Sequence, residues 1–332
     1  MGEHYAKLGA YRDEPAILLK SGRYSAVMLP GIGGNLVSFR DDEHGFHFLR
    51  EPSDEEWREF KRRPMVHGIP VLFPPNRYED GEFVWNGKTY RFPVNEPATN
   101  NHLHGFVYDQ PWETADFGRD AGKSRVTVKH VFGETHPNYR YFPHTFTLTL
   151  TYTLSADGLR QDVSVVNEGG EPMPLMLGFH TAVNAPFAPG STADDCRLLL
   201  TIGQRVELSP RMLPTGEFQT LSENERRIKE GLGSPYAEDM DNHYTAEPRG
   251  AGNMMELTDT RAGVKLVYET GEKFPFWMVW NTRRSRRYFC PEPQTSLVNA
   301  PRAPFPPERT GLIALGPGES WTAACRMYAE DA

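Results

Sequence analysis

One pattern limits the fold of this 332-residue chain more than any other: apolar and hydroxyl side chains alternate from Phe146 to Leu154. Because successive side chains of a strand point to opposite faces, this period of two predicts a strand with one packed face and one wetter face. Ala156-Asp157-Gly158 then predicts a turn into a second strand, Arg160–Asn167. The hairpin indicates an antiparallel sheet that buries one face.

Further short strands are predicted along the chain, where 30 glycines and 28 prolines interrupt the apolar segments. A second hairpin is centred on Asn86-Gly87, since these residues tolerate the positive φ of a tight turn, and its strands are Glu82–Trp85 and Thr89–Phe92. The other predicted strands are Tyr24–Leu29, Val126–Phe132, Arg197–Ile202, Val264–Tyr268 and Ser320–Tyr328.

Helix signals are confined to two short, highly charged segments. Ser53 with Glu56, and Ser222 with Glu225, have capping-box spacing. We expect both to be surface helices. In the absence of an internal repeat or a long linker, residues 1–332 are predicted to form one all-β domain, a large antiparallel β-sandwich of two or more stacked sheets.

Charge and cysteine content restrict the partners of the protein. The formal net charge of −8 argues against a nucleic-acid partner, because such partners need clustered positive charge. The three cysteines, Cys196, Cys290 and Cys325, are far apart and odd in number, which indicates reduced thiols. No apolar segment resembles a signal peptide or a membrane span. We therefore expect a cytoplasmic protein without a membrane partner, either a monomer or a homodimer.

The segment Asn101-His102-Leu103-His104-Gly105 contains two histidines two residues apart. On a strand both point to the same face, and such a pair can chelate a metal. The cysteines lack metal-ligand spacing, so we predict no metal and keep a metal-dependent β-barrel enzyme as an alternative. In the other interpretation, one histidine satisfies backbone groups while the other faces a cleft, and Gly105 permits a close approach of backbone or ligand.

Three further polar residues stand next to apolar or rigid segments. Arg77 and His180 each follow an apolar run, so each is either exposed at the end of a strand or directed into a pocket. Glu292 has proline on both sides, which fixes the local backbone. A carboxylate in an aromatic setting tends towards a raised pKa and a base function. Alone, each residue also fits an ordinary structural role.

Several motifs resemble, in order and spacing, the amino-terminal signature of the aldose 1-epimerases, or galactose mutarotases: Asn76-Arg77, Gly81-x-Phe83, Gly87-x-x-Tyr90, Pro93, Asn95-Glu96 and Asn101-x-Leu103-His104-Gly105. His180 with Asn184 resembles the second histidine motif of that family. Its carboxy-terminal glutamate motif resembles two further segments, Glu292-Pro293-Gln294 and Asn299-Ala300-Pro301. Asp241 lies where the family has a substrate-binding aspartate. The resemblance extends roughly from Gly68 to Pro301.

The resemblance implies a galactose mutarotase-like supersandwich and an isomerase that interconverts the α and β anomers of a hexose without a cofactor. It implies that Glu292 takes the anomeric proton, that His180 protonates the ring oxygen, and that His104 supports the charge there. The implied sugar-binding residues are Arg77, Asp241 and Asn76. Ordinary pKa values, about 6.5 for histidine and about 4.3 for glutamate, suit these donor and acceptor roles.

Two alternatives concern the substrate and the activity. A basic cluster before Glu292 suits an anionic sugar, although most charge runs form a solvated loop; its members are Arg283, Arg284, Arg286 and Arg287. Gly68–Pro74 is also similar to the related hexose-phosphate epimerases, and Ala182-Val183 stand where the family usually has an aromatic pair. The other alternative is a non-catalytic carbohydrate-binding protein. Aromatic candidates for the apolar face of the sugar are Trp277, Trp280, Tyr244 and Phe106.

Overall fold

The computed structural model of the protein describes residues 3–250, 252–282 and 284–332. The strands, in chain order, are β1 His4–Tyr11, β2 Glu14–Ser21, β3 Tyr24–Leu29, β4 Asn35–Asp41, β5 Phe46–His47, β6 Val71–Leu72, β7 Arg77–Glu79, β8 Glu82–Trp85, β9 Lys88–Arg91, β10 Asn101–Leu103, β11 Glu113–Asp120, β12 Lys123–Phe132, β13 Phe146–Ser155, β14 Gly158–Asn167, β15 Met173–Leu175, β16 Gly178–Phe179, β17 Val183–Asn184, β18 Cys196–Leu200, β19 Ile202–Leu208, β20 Pro214–Gln219, β21 Asp241–Ala246, β22 Met254–Asp259, β23 Val264–Glu269, β24 Phe276–Asn281, β25 Tyr288–Gln294, β26 Ile313–Leu315 and β27 Ser320–Asp331. The helices are α1 Trp57–Arg62 and α2 Glu223–Lys229, and 3-10 turns occupy Ala193–Asp195 and Pro307–Arg309.

Two eight-stranded sheets and one five-stranded sheet form the framework. The first sheet has the order β11-β12-β13-β14-β27-β23-β22-β18. The second has the order β20-β19-β21-β24-β25-β16-β6, with β17 paired to β25. Strands β1 to β5 follow one another in the third sheet. The pairings between these strands are antiparallel, so the predicted all-β class is confirmed.

The alternating segment lies within β13, where burial alternates residue by residue. It forms the predicted hairpin with β14, closed by the pair Ser155 and Gly158. Leu148 and Leu150 of β13 belong to a continuous core that also contains Trp277 of β24. Because β13 and β24 belong to different eight-stranded sheets, the core joins two layers as in a sandwich.

The second predicted hairpin consists of β8 and β9, with Trp85 paired to Lys88. Asn86 and Gly87 have φ values of +48° and +73°. Positive φ at both central positions is the geometry of a type I′ turn, whose twist matches that of the flanking strands.

Both capping boxes are present, and α2 lies on the surface as predicted. The Ser53 hydroxyl accepts from the Glu56 N–H at 3.2 Å, and the Glu56 carboxylate accepts from the Ser53 N–H at 3.0 Å. Ser222 caps α2 in the same way through Glu225. The inner face of α2 buries Glu225 and Ile228, while Glu223, Arg226 and Arg227 are exposed.

The three cysteines are free and buried. In the ranges that the structure describes, neither helix has the length or the apolarity of a membrane span. The assignment of residues 1–332 to one domain stays a prediction.

Candidate active site

Glu292 lies on β25 in the second sheet, between β24 and β16. The register pairs Glu292 with Met278 of β24, and Gln294 with Gly178 of β16. His180 comes directly after β16. Strand pairing therefore brings His180 beside Glu292, although the two residues are far apart in the sequence.

His180 and Glu292 form a buried acid–base pair. Nε2 of His180 lies 3.2 Å from Oε1 of Glu292, and the two residues are 5% and 2% exposed. The second carboxylate oxygen, Oε2, accepts a hydrogen bond from Nε2 of Gln294 at 3.2 Å. Both oxygens of Glu292 therefore have a neighbour that fixes the orientation of the carboxylate.

Burial changes the proton affinity of both partners. It raises the pKa of Glu292 well above the ordinary value, and the carboxylate of Asp241 raises it further. Burial lowers the pKa of His180 to about 4, because a charged imidazolium loses solvation inside the protein. A single proton on the pair therefore resides on Glu292, which reverses the order expected from ordinary pKa values.

His104 lies beside this pair. It follows β10 and has a φ of +68°, so the strand alternation ends before it. Its ring centroid is 5.3 Å from that of His180. The backbone N–H of His104 donates to the carbonyl of Asn76 at 3.0 Å. Burial, with a contribution from His180, lowers the pKa of His104 well below the ordinary value. His104 is therefore a neutral ring next to the acid–base pair.

His102 points away from His104. Its ring packs on Phe92 and Phe106 at centroid distances of 4.9 Å, and Nδ1 lies 2.8 Å from the carbonyl of Pro93. The expectation that both histidines share a face was wrong, since the positive φ of His104 turns that residue into the cleft. Within the described ranges, no group of three or more His, Cys, Asp or Glu residues is arranged to hold a metal.

Arg77 connects two acidic side chains at the start of β7. Its Nε lies 3.0 Å from Oε2 of Glu96, and its Nη2 lies 3.4 Å from Oδ2 of Asp241. Burial acts to lower the pKa of Arg77, but the two carboxylates raise it overall. Burial raises the pKa of Asp241, and Arg77 partly opposes that shift. Asn76 accepts the Arg77 N–H through Oδ1 at 2.9 Å. Glu96 belongs to a sequence motif, but its role as the partner of Arg77 was missed.

These side chains line one cleft of about 150 Å³. The residues singled out from the sequence that lie in its wall are Asn76, Arg77, His104, His180, Asp241 and Glu292. The rest of the wall is formed by Arg63, Met65, Val66, Leu103, Met278 and Trp280. The structure thus brings the predicted site residues together, and their individual roles stay predictions.

The aromatic candidates separate into two groups. Trp280 lines the cleft, whereas Trp277, Tyr244 and Phe106 are buried in the core. Most of the candidates were expected to be core residues, and these three are. On β24, Met278 and Trp280 share one face because side chains alternate along a strand, and Trp277 lies on the other. The sequence could not show which of these faces meets the cleft.

The members of the basic cluster that the structure describes are not part of this cleft. Arg284 and Arg287 line a neighbouring hollow, and Arg286 forms an ion pair with Asp194. Arg283 lies outside the described residues. Besides Arg77, the cleft wall contains Arg63, which caps the carboxyl end of α1 and was not singled out from the sequence.

Similar proteins exist in several bacteria. YphB, an uncharacterised protein of Escherichia coli, is 24% identical over 268 residues, which cover 79% of this chain and 83% of YphB. A galactose mutarotase-like protein of Clostridium acetobutylicum, known from its crystal structure, is 34% identical, covers 99% of each chain and has a TM-score of 0.96. The galactose 1-epimerase of Lactobacillus acidophilus shares the fold, with a TM-score of 0.76 at 15% identity over 99% of this chain and 100% of that one.

The resemblance inferred from the sequence motifs is confirmed by these comparisons. The 34% identity to the Clostridium protein extends over nearly the whole chain, so it is not limited to the motifs. The family model described as aldose 1-epimerase matches residues 15–328, and the chain therefore belongs to the aldose 1-epimerase family.

Proposed function

We propose that the protein is a cofactor-independent aldose 1-epimerase that interconverts the α and β anomers of a free hexose. The observation that carries the proposal is the buried contact between His180 and Glu292 in the wall of the cleft. Opening a sugar ring needs a base for the anomeric hydroxyl and an acid for the ring oxygen. The pair supplies both groups within reach of one sugar ring.

The pair performs the reaction with a single proton. In the free protein that proton resides on Glu292. In the reactive complex it has passed across the 3.2 Å contact to Nε2 of His180, and Glu292 is ionised. The bond between the anomeric carbon and the ring oxygen breaks as His180 protonates that oxygen. Glu292 takes the proton of the anomeric hydroxyl, whose oxygen becomes the carbonyl of the open-chain aldehyde. Rotation about the bond between the first two carbons, followed by the reverse transfers, closes the ring as the other anomer.

Burial supports the ring-opened state. After ring opening, Glu292 is protonated and His180 is neutral, which is the distribution that their shifted pKa values favour. His104 supports the ring oxygen from its position beside His180. Arg77, Asp241 and Asn76 bind hydroxyl groups and hold the sugar in the reactive orientation.

Polarimetry tests the proposal directly. Freshly dissolved α-galactose and α-glucose change their optical rotation slowly on their own, and we expect the wild-type protein to accelerate that change. The matched control is Glu292→Gln, which keeps the size of the side chain and removes the base. Sugar binding by the wild type without acceleration would instead identify a carbohydrate-binding protein.

Arg63 favours a second candidate, an epimerase of a phosphorylated or otherwise anionic hexose. The side chain is exposed in the wall of the cleft, and its charge contributes to the lowered pKa values of His104 and His180. A guanidinium in the wall of the cleft attracts an anionic substituent of a bound sugar. A preference for glucose 6-phosphate over glucose that is lost in Arg63→Gln and weakened by salt supports this candidate.

The proposal includes a cytoplasmic location and a monosaccharide as the partner. Buried free thiols at Cys196, Cys290 and Cys325 suit a reducing compartment. The net charge of −8 disfavours nucleic acid.

A further inference from the structure

The cleft is the first of three adjoining hollows. Arg63, Met65 and Val66 line both the cleft and an inner hollow of about 330 Å³. The wall of the inner hollow also contains Phe60 and His67. Arg50 and Glu56 line both the inner hollow and an outer hollow of about 500 Å³. The rest of the outer hollow is formed by Glu51, Ser53, Asn184, Arg284, Ser285, Arg287 and Tyr288. Each hollow shares wall residues with the next, and we call the three adjoining hollows the groove.

The cleft is the smallest of the three hollows, at about 150 Å³ against about 330 Å³ and 500 Å³. We expect it to hold the reducing unit alone, so a reducing saccharide with its anomeric carbon at Glu292 extends its second unit out of the cleft. The inner and outer hollows provide the adjoining space.

The wall of the groove is held in place by Arg50. Its Nη1 donates to the carbonyl of Val66 at 2.7 Å, and it forms an ion pair with Glu56. The guanidinium lies 3.9 Å from the ring centroid of Tyr288, which in turn lies 5.9 Å from Trp280 in the cleft. An aromatic contact therefore links the wall of the cleft to the wall of the outer hollow.

The outer hollow carries uncompensated positive charge. Arg284 and Arg287 are exposed there and form no ion pair with any residue that the structure describes, whereas Arg50 and Arg286 have carboxylate partners. Glu51, the other acidic group in the wall besides Glu56, is paired with Arg40. Two free guanidinium groups on a protein with a net charge of −8 mark a place for an anion.

We propose that the groove binds a reducing saccharide of two or more units that carries an anionic group on the unit beyond the reducing end. The reducing unit occupies the cleft, and Arg284 and Arg287 bind the carboxylate or phosphate of the next unit in the outer hollow. This inference rests on the proposed function, since it places the anomeric carbon at Glu292. It goes beyond that function by naming an extended, acidic substrate.

Four sugars separate length from charge: galactose, galacturonate, α-1,4-linked galactobiose and α-1,4-linked digalacturonate. The test variant is Arg284→Gln/Arg287→Gln. Its matched control is Arg286→Gln, which changes the same residue type in the same loop but outside the groove. We expect the double variant to raise KM for digalacturonate about tenfold, as expected for the loss of charge-assisted hydrogen bonds, and to leave KM for the other three sugars unchanged. The control should leave all four values unchanged.

An equal change for all four sugars, or no change for digalacturonate, overturns the inference while the proposed function stands. If the wild type accelerates anomerisation of none of the sugars, the proposed function fails. The groove is then tested by calorimetric titration of digalacturonate: weaker binding by the double variant than by Arg286→Gln supports it, and equal binding overturns it. A phosphorylated reducing disaccharide in the same titration distinguishes phosphate from carboxylate as the preferred anion.

Discussion

At the scale of single residues, Glu292 carries the heaviest chemical demand, because it must accept a proton while it is buried. Glu292→Gln keeps the shape of the side chain and an oxygen for Gln294, but removes the base. We expect kcat for anomerisation to fall by about 10²–10⁴-fold, the usual contribution of a general base, with sugar affinity largely retained. Polarimetry measures the first quantity and calorimetric titration the second. Near-normal turnover would remove Glu292 from the mechanism.

The pH dependence follows from the proton shared by His180 and Glu292. Ring opening needs one proton on the pair. When pH falls below the lowered pKa of His180, about 4, both residues are protonated and Glu292 cannot act as a base. When pH rises above the raised pKa of Glu292, neither residue carries a proton and the pair has no acid. We therefore expect kcat/KM to fall on the acid side only near about pH 4, and on the alkaline side as pH rises through the raised pKa of Glu292. If His180 instead had the ordinary histidine pKa of about 6.5, kcat/KM would fall as pH rises through about 6.5.

The hydrogen bond from Gln294 to Glu292 allows a separate test of this pH profile. Its amide donates to Oε2 of Glu292 and so acts to lower the pKa of that carboxyl, against the effect of burial. In Gln294→Leu the pKa of Glu292 rises further, and the alkaline limb of kcat/KM moves to higher pH while the acid limb stays. A merely structural role lowers the rate equally at every pH.

At the scale of elements, the turn between β10 and the cleft depends on Gly105. A Cβ there would lie 2.2 Å from the carbonyl oxygen of Phe73, whereas a Cβ at Gly87 meets nothing within 4 Å, although both glycines have φ near +70°. We expect Gly87→Ala to cost about 1–2 kcal/mol of unfolding free energy with activity intact. Gly105→Ala should cost more and lower kcat by about 10–100-fold, since the backbone that holds His104 must shift. Urea denaturation and polarimetry compare them, and equal effects of the two substitutions contradict this account.

Helix α2 is tied to β21 by a buried carboxylate. Glu225 is fully buried, and its Oε1 accepts from Tyr244 Oη at 2.5 Å and from Arg205 Nη1 at 3.2 Å. Glu225→Ala leaves that guanidinium without its carboxylate, so we expect a loss of about 3–5 kcal/mol in unfolding free energy by urea denaturation. Glu223→Ala, on the exposed side of the same helix, should change stability by at most about 0.5 kcal/mol. A loss of the same size in both variants excludes the buried network as the cause.

At the scale of the whole molecule, the sequence could predict the layers but only part of the site. The period of two in β13 and the turn at Asn86-Gly87 are local signals, so they predicted strands and hairpins. Motif order likewise predicted that His180 and Glu292 belong to one site. The contribution of Arg63 depends on where α1 ends in the fold, and the reversed pKa order of the pair depends on which strands become neighbours in the second sheet. No local pattern in the sequence predicts either.

Burial across the whole fold also makes stability depend on acid. Burial lowers the pKa of several histidines, to about 4 for His67, His102, His130, His144 and His180 and to about 3 for His243. Each of these pKa values is lower in the folded state than in the unfolded chain, where it is about 6.5. Below about pH 6.5 the unfolded chain therefore binds more protons than the folded protein. Their contribution to stability is therefore complete above that pH and is lost as pH falls towards about 4. The raised pKa values of Glu292 and Asp241 act in the opposite direction, but they are two groups against these six histidines and His104, whose pKa is also lowered.

We therefore expect the free energy of unfolding, measured with urea at about pH 7.5, 6 and 5, to fall towards acid by up to about 1.4 kcal/mol per pH unit for each buried histidine. His243→Phe is the informative variant, because neither ring nitrogen of His243 has a hydrogen-bond partner among the described residues and the ring stacks on Phe276. Phenylalanine keeps the stacking and removes the titrating group. The dependence of the unfolding free energy on pH should therefore become less steep by the contribution of one histidine. A flat wild-type profile, or an unchanged slope in the variant, means that these histidines titrate alike in the folded and unfolded states.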